Sequence, residues 1–488
     1  MTHPNETQNV SEYIVLSRGK ALAGKGTGGQ KGQPVKVVLG GKLVTEYHYA
    51  DADRPYFYPV IAPTGDNITR NWPMKTDNKD EQTDHKHHRS LWFTHGAVNG
   101  HDFWGEGAGP KIVQTKMSVS QGDTRCVIVA ENEWRAKDGK VVCTDIRKHT
   151  IALIGENRVI DFEITLKASH GKVVLGDTKE GSMAMRVAPT LRTKGKVARG
   201  SMVNSEGGSG GGIWGKRAKW CDYYGPLNGK TVGIAIMDHP SNPRHPTWWH
   251  ARNYGLCGAN PFGISYFEKK PKGTGDMTIA AGDSVTFKYR VIVHNGSAKD
   301  AGIEKLYQAY TAGPTLASIF NGRDLTGWRI PKDNIFWTVR DRMIVCKSDP
   351  KKKGSILWTE KKYRDFLLEL DFRYGEGTVD SGIFIRTTKQ QVQLGISGSL
   401  KRDMTGSVYV PGKGYPKEAT GVKELLKPRD WNTMKVQAVG NIYTVWLNGK
   451  QVLVFEGKNA IPEGPIGLQL HPGKTMAIDF RNIKLAEL

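Results

Sequence analysis

The sequence contains no apolar run approaching the ~20 residues that a membrane-spanning helix requires, so no segment of it reads as a span and no membrane partner is expected. Its five cysteines (Cys126, Cys143, Cys221, Cys257 and Cys346) are scattered and lack CxxC spacing. That arrangement calls for neither a disulfide framework nor a thiolate metal site. A net charge of +22 raises nucleic acid as a partner. The surplus is shared by both halves, however, and comes with no basic helix, finger spacing or aromatic RNA-binding signature, so a solvated basic surface is expected and no nucleic-acid partner. There is also no HExxH helix, and nothing calls for a nucleotide cofactor. The first residues, MTHPNETQNVSEYIVLS, lack a charged stretch followed by an apolar core, so the expectation is either a cytosolic protein or one whose signal peptide has been removed.

What is present is a β-protein's vocabulary. With 488 residues, 58 of them Gly, the chain exceeds the length at which one core stops growing. Short Val/Ile/Phe/Thr runs alternate with Gly, Pro, Asn and Asp clusters, which predicts strands. In the first half these fall at 36–39, 125–134, 147–154, 158–167, 231–237 and 284–293, with flexible Gly-rich loops at 19–35 and 200–213. Ile303, Leu306, Tyr307 and Tyr310 fall at i, i+3, i+4 and i+7 and predict one helix over 299–311. Gly313-Pro314 stops it, placing the domain boundary near 312–317. About ten further strands follow at sandwich spacing. They include a hairpin in YTVWLNGKQVLVF, turned by Asn448-Gly449.

The stretches FNGRDLTGW, SGIFIR, LKPRDWNTMKVQAVGNIYTVWLNGKQVL, GPIGLQLH and FRNIKL resemble the 3-keto-disaccharide hydrolase family across 318–488. The resemblance implies a concanavalin-like jelly roll that cleaves glycosides oxidised at C3 and, if a leader has been removed, a periplasmic or secreted protein. Strand alternation independently predicts a polar face. Glu369, Asp371 and Arg373 oppose Leu368, Leu370 and Phe372, Gln391 and Gln393 oppose Val392 and Leu394, and Gln469 and His471 oppose Leu468 and Leu470. A ketone at C3 acidifies the C2 hydrogen, so elimination of the aglycone needs a base and a stabiliser for the enolate oxygen. His471 is the expected base and Arg386 or Lys401 the expected stabiliser, while Glu369 and Asp371 are further catalytic candidates. Gln391, Gln393, Gln469 and Tyr409 are the expected sugar contacts, with Tyr415 on the same loop. The family carries a carboxylate at the position of Gln391. An amide there cannot abstract a proton, which favours a binding-only reading.

The densest chemistry lies between residues 44 and 106, in YFYPVIAPTGDNITRNWP and DHKHHRSLWFTHGAVNGHDFWGE. With DTKEG, WCDYYG, IMDHPSNPRHPTWWHARNYG and ANPFG, these motifs resemble the PmoA-like family over roughly 35–311. That resemblance implies a galactose-mutarotase-like β-supersandwich. His85, His87, His88, His95 and His101 lie within a short stretch with Asp84, Asp102 and Glu106, a set that suits a divalent metal. In an extended segment, His85 and His87 would share a face and His88 would take the other. The second reading of the same residues is a sugar pocket, with Trp92, Trp104, Trp248 and Trp249 as stacking surfaces. His250, Arg252, Asp177, Glu180 and Arg186 would approach it from later strands.

The expectation is therefore an all-β protein of two domains, 1–311 and 318–488. It would act on a carbohydrate or glycoside partner, releasing the aglycone of 3-keto glycosides by acid/base chemistry, with or without a divalent metal. The alternative is a non-catalytic C-terminal glycan-binding module fused to an N-terminal sugar-processing domain.

Overall fold

The computed structural model describes residues 32–488, apart from 79, 108, 458 and 459. The leader reading and most of the predicted 19–35 loop lie outside the described residues. Within them the chain is all-β, with its longest α-helix, Ile303–Ala312, spanning ten residues. It divides into two compact units at Thr311/Ala312.

The first unit is a supersandwich of two large antiparallel sheets. One has seven strands in the order Val35–Leu39, Lys42–His48, Tyr56–Val60, Leu91–His95, Gly181–Arg186, Leu256–Asn260 and Trp248–Trp249. The other has eight, in the order Ser201–Asn204, Trp220–Leu227, Lys230–Asp238, Ser284–Asn295, Asn157–Lys167, Val141–Ile154, Arg125–Arg135 and Lys111–Gln121. Alternation decides what each face carries. Leu91, Phe93, Met183 and Met185 enter the core between the sheets, whereas Trp92, Ala184 and Leu256 join Tyr56, Tyr58 and Trp104 in a smaller cluster on the outer face. Segment 200–213 is more ordered than its glycines predict. It contains the strand Ser201–Asn204, paired with Trp220–Leu227, and a short 3-10 turn at Gly210–Ile213.

The second unit is a jelly-roll sandwich. Its larger sheet runs Trp337–Arg340, Met343–Lys347, Met476–Glu487, Phe366–Gly377, Asn432–Val439, Ile442–Leu447 and Lys450–Glu456. Its smaller sheet runs Trp328–Arg329, Ser355–Thr359, Ile466–Leu470, Asp380–Ile385, Gln391–Gly395 and Val408–Tyr409. Leu368, Leu370 and Phe372 from one sheet and Val392, Leu394, Leu468 and Leu470 from the other close the core.

Candidate functional site

Two polar clusters emerge, one in each unit. In the first, the loop before strand Leu91–His95 carries His85, His87 and His88. No sheet satisfies its carbonyls, so buried guanidinium groups do so instead. Arg54 donates to the carbonyls of His87, Phe103 and Gly105, and Arg70 to those of Gln82, Asp84 and His85. Burial pulls both arginines down to about 10, which leaves them protonated at neutral pH. His85 adopts a positive φ of 41°, and the His88 amide donates to its carbonyl. This turn corrects the expectation for an extended segment, because all three rings meet. His85 stacks on His88 at 4.8 Å, and His87 meets His88 edge-on at 4.5 Å. Trp92 and Tyr254 complete a column in the order Trp92, His88, His85, Tyr254.

Beside that column is a cleft of 390 Å³ lined by His85, His87, His88, Asp102, Trp104, Gly105, Lys179, Glu180, His250, Arg252 and Tyr254. The arginines fix the imidazole tautomers, because a guanidinium can only donate. Arg186 Nη1 lies 3.0 Å from His88 Nδ1, so the His88 proton is on Nε2. Arg252 Nε donates to His250 Nε2 at 3.1 Å, and His250 Nδ1 donates to the Lys179 carbonyl at 2.7 Å. Desolvation pulls His87 and His250 down to about 4 and His88 further still, so all three are neutral at pH 7. Glu180 pairs with Lys179, and its charge is felt by His87, His250 and Tyr254.

The five-histidine metal set does not assemble. His95 points to the opposite side of its strand, where Nε2 bonds the Gly176 carbonyl at 2.8 Å and the ring packs on Phe262. His101 lies in the turn bridged to Val98 and does not line the cleft. The His88 lone pair is taken by Arg186, and its parallel stack with His85 keeps the two rings from converging on one point. Among the described residues, no group of three His, Cys, Asp or Glu could hold a metal ion. Of the other expected residues, Trp104, His250, Arg252 and Glu180 reach the cleft. Trp92 is buried behind His88, Trp249 is in the core, and Trp248 is covered by Arg217. Asp177 instead anchors the amides of Ser265 and Gly275.

In the second unit, the outward face of the smaller sheet gathers residues in rows set by strand register. Trp358, Gly467, Phe384, Gln391 and Tyr409 form one row. The next holds Ile356, Gln469, Gly382 and Gln393. Beyond it lie Asp380 and His471. Gln391 Nε2 donates to Gln469 Oε1 at 2.7 Å and to the Ser381 carbonyl, and Gln393 Nε2 donates to Asp380 Oδ1 at 2.8 Å. These bonds leave the Gln469 amide group as a donor and the Gln391 carbonyl as an acceptor for a ligand. His471 Nδ1 lies 2.7 Å from the Pro472 carbonyl, which can only accept, so the lone pair is on Nε2. Asp380, which is 2% exposed, approaches His471 Nδ1 at 3.9 Å, and its Oδ2 has no hydrogen-bond partner. Tyr409 and Tyr415 pack together at the rim.

His471, Gln391, Gln393 and Gln469 thus share one face, as the alternation predicts, and Tyr409, expected on a loop, joins them from the edge strand Val408–Tyr409. Three expectations, for Glu369, Asp371 and Arg386, fail. Glu369 and Asp371 belong to the larger sheet, where Glu369 pairs with Lys435 and Asp371 with Arg481, Asn482 and Thr433. Arg386 is 2% exposed and donates to the Gly440 and Ile461 carbonyls and to Asp365, so it is a structural clamp. Lys401 sits exposed in a turn with a φ of 57°. Asp380 is the residue that sequence reading missed. Its place just before Ser381-Gly382 gave it no alternating neighbour to mark it as part of the face.

Residues 34–308 match the model described as a family of unknown function, DUF6807. That description names no PmoA-like family. Residues 315–486 match the 3-keto-alpha-glucoside-1,2-lyase-like domain. No curated protein matches the chain. Among solved structures, a candidate glycosyl hydrolase from Parabacteroides distasonis is 22% identical, with 36% of this chain and 95% of that one covered and a TM-score of 0.27. The carbohydrate-binding module CBM66 from Bacillus subtilis is 17% identical, with 33% and 96% covered and a TM-score of 0.25.

Proposed function

The chain belongs to the DUF6807 family of unknown function, and from that starting point we propose that it is a carbohydrate-active enzyme whose C-terminal domain eliminates the aglycone from 3-keto glycosides. The observation that carries this reading is the conjunction of His471, Asp380, Gln391, Gln393 and Gln469 on one sheet face within a 3-keto-alpha-glucoside-1,2-lyase-like domain. His471 Nε2 takes the acidified C2 proton. The C–H electron pair forms the C1–C2 double bond, and the C1–O bond breaks to release the aglycone, which is protonated by solvent. Asp380 favours the imidazolium that forms, as a carboxylate beside a general base does. The Gln469 amide donates to the C3 oxygen as negative charge develops there, the role the sequence assigned to Arg386 or Lys401. Water then adds to the double bond, making the net reaction a hydrolysis.

The test is aglycone release from a 3-keto glucoside by the whole chain. Release should fall on the order of 10²–10⁴-fold in both Asp380→Asn and His471→Ala. Full activity in either variant, or no release from any 3-keto glycoside, removes the proposal. Gln391 favours the second reading, a glycan-binding module attached to a sugar-processing domain, because an amide stands where that family has a carboxylate. Calorimetric binding of an unoxidised glycan without turnover would select it.

A further inference from the structure

The N-terminal cleft lies outside that reaction, and its chemistry points elsewhere. Among the residues lining it, Lys179 and Arg252 balance Asp102 and Glu180, so it attracts no net charge. Donors, acceptors and the rings of Trp104 and Tyr254 lie side by side, which suits a neutral ligand bearing many hydroxyls. Its distinguishing feature is His88. Arg186 occupies Nδ1, so the ring presents a fixed Nε2–H and no lone pair. Trp92 on one side and His85 on the other hold the ring plane. A neutral imidazole locked as a donor polarises a carbonyl without delivering a proton to it, which is the arrangement that enolisation requires. Of the two carboxylates that line the cleft, Asp102 accepts from the Trp104 and Gly105 amides, whereas Glu180 pairs with Lys179 and acts electrostatically on His87, His250 and Tyr254.

We propose that this cleft is a second, separate acid/base site for polyhydroxylated carbonyl compounds, with Glu180 as the base and His88 Nε2–H as the donor to the enolate oxygen. The C–H bond beside the carbonyl breaks and its proton passes to Glu180. The freed pair forms the C=C bond, and the carbonyl π pair moves to the oxygen facing His88. Return of a proton to the same carbon, with the oxygen pair re-forming the carbonyl, restores the carbonyl compound with that hydrogen exchanged, so no oxidant or reductant enters. The assignment does not depend on the C-terminal reading.

The experiment uses the full chain carrying His471→Ala and Asp380→Asn, so that the C-terminal face contributes nothing. 3-Keto-glucose and D-fructose are incubated with it in D2O, and proton NMR follows deuterium entering the carbons beside the carbonyl. The proposal expects exchange above buffer on at least one of the two. In Glu180→Gln, whose side chain is part-exposed, exchange should drop at least ~100-fold while calorimetric affinity for the same sugar changes little. His88→Gln, which can still donate, should retain more exchange than His88→Leu, whereas a purely structural role predicts equal loss in both. No exchange on either sugar, or unchanged exchange in Glu180→Gln, overturns the assignment.

Discussion

Arg186 donates from Nη1 to Nδ1 of His88 at 3.0 Å while its guanidinium lies 4.4 Å over the ring of Tyr254. One buried cation thereby sets an imidazole's tautomer and closes the far end of the ring column. Replacing it by Met should leave the His88 acceptor without its donor and Asp84 with only Arg70 and His85 and cost roughly 1–3 kcal/mol, read as a lower urea midpoint for the N-terminal unit. Arg186→Lys should recover only part of this, because an ammonium cannot reach His88, Asp84 and the Tyr254 face together.

Acid should weaken the two units unequally. Desolvation holds His95 and His250 at about 4, against an ordinary 6.5, and pushes His149 well down. The unfolded chain therefore binds protons that the folded unit refuses. Stability contributed above pH 6.5 is lost as the pH falls toward 4, at most roughly 2–3 kcal/mol for each fully enclosed ring. His294 works in the opposite sense. Its carboxylate partner Asp222 raises it, so its contribution is present at low pH and fades as the pH rises through its folded value. Calorimetry between pH 7.5 and 4.5 should show the N-terminal transition moving down. The C-terminal unit, whose single histidine is His471, should change far less.

Gly382 is required by its neighbour. A Cβ there would lie 1.9 Å from Gln391 Nε2, because the Gln391 amide lies across this glycine on its way to Gln469. Gly382→Ala should displace that amide, cost about 1–3 kcal/mol and weaken glycan binding by calorimetry more than it weakens the fold.

Arg386 provides the contrast with a reacting group. Arg386→Met should lower the stability of the C-terminal unit by about 2–4 kcal/mol, since the Gly440 and Ile461 carbonyls lose this donor and Asp365 keeps only the Gly440 amide. Turnover per folded molecule should be unchanged, measured as aglycone release normalised to the native fraction.

Alternation made the strands and their faces legible, and it correctly put Gln391, Gln393, Gln469 and His471 on one side of one sheet. It could not say which sheet a strand joins. The Glu369 strand pairs with Asn432–Val439 and Met476–Glu487, partners separated from it by long stretches of chain, so its carboxylates were credited to the wrong face. The histidine segment was misread for a local reason. A single positive φ at His85 turned a presumed period of two into a turn that collects three rings. Arg54 and Arg70, the groups that hold the turn, give no periodic signal because they act on backbone carbonyls.

The guanidinium groups behind the N-terminal cleft keep their protons far above physiological pH, so the hydrogen-bonding pattern they impose on His88 and His250 does not switch between mildly acidic and mildly alkaline media. A ligand entering there meets the same arrangement of donor and acceptor on those two rings in either.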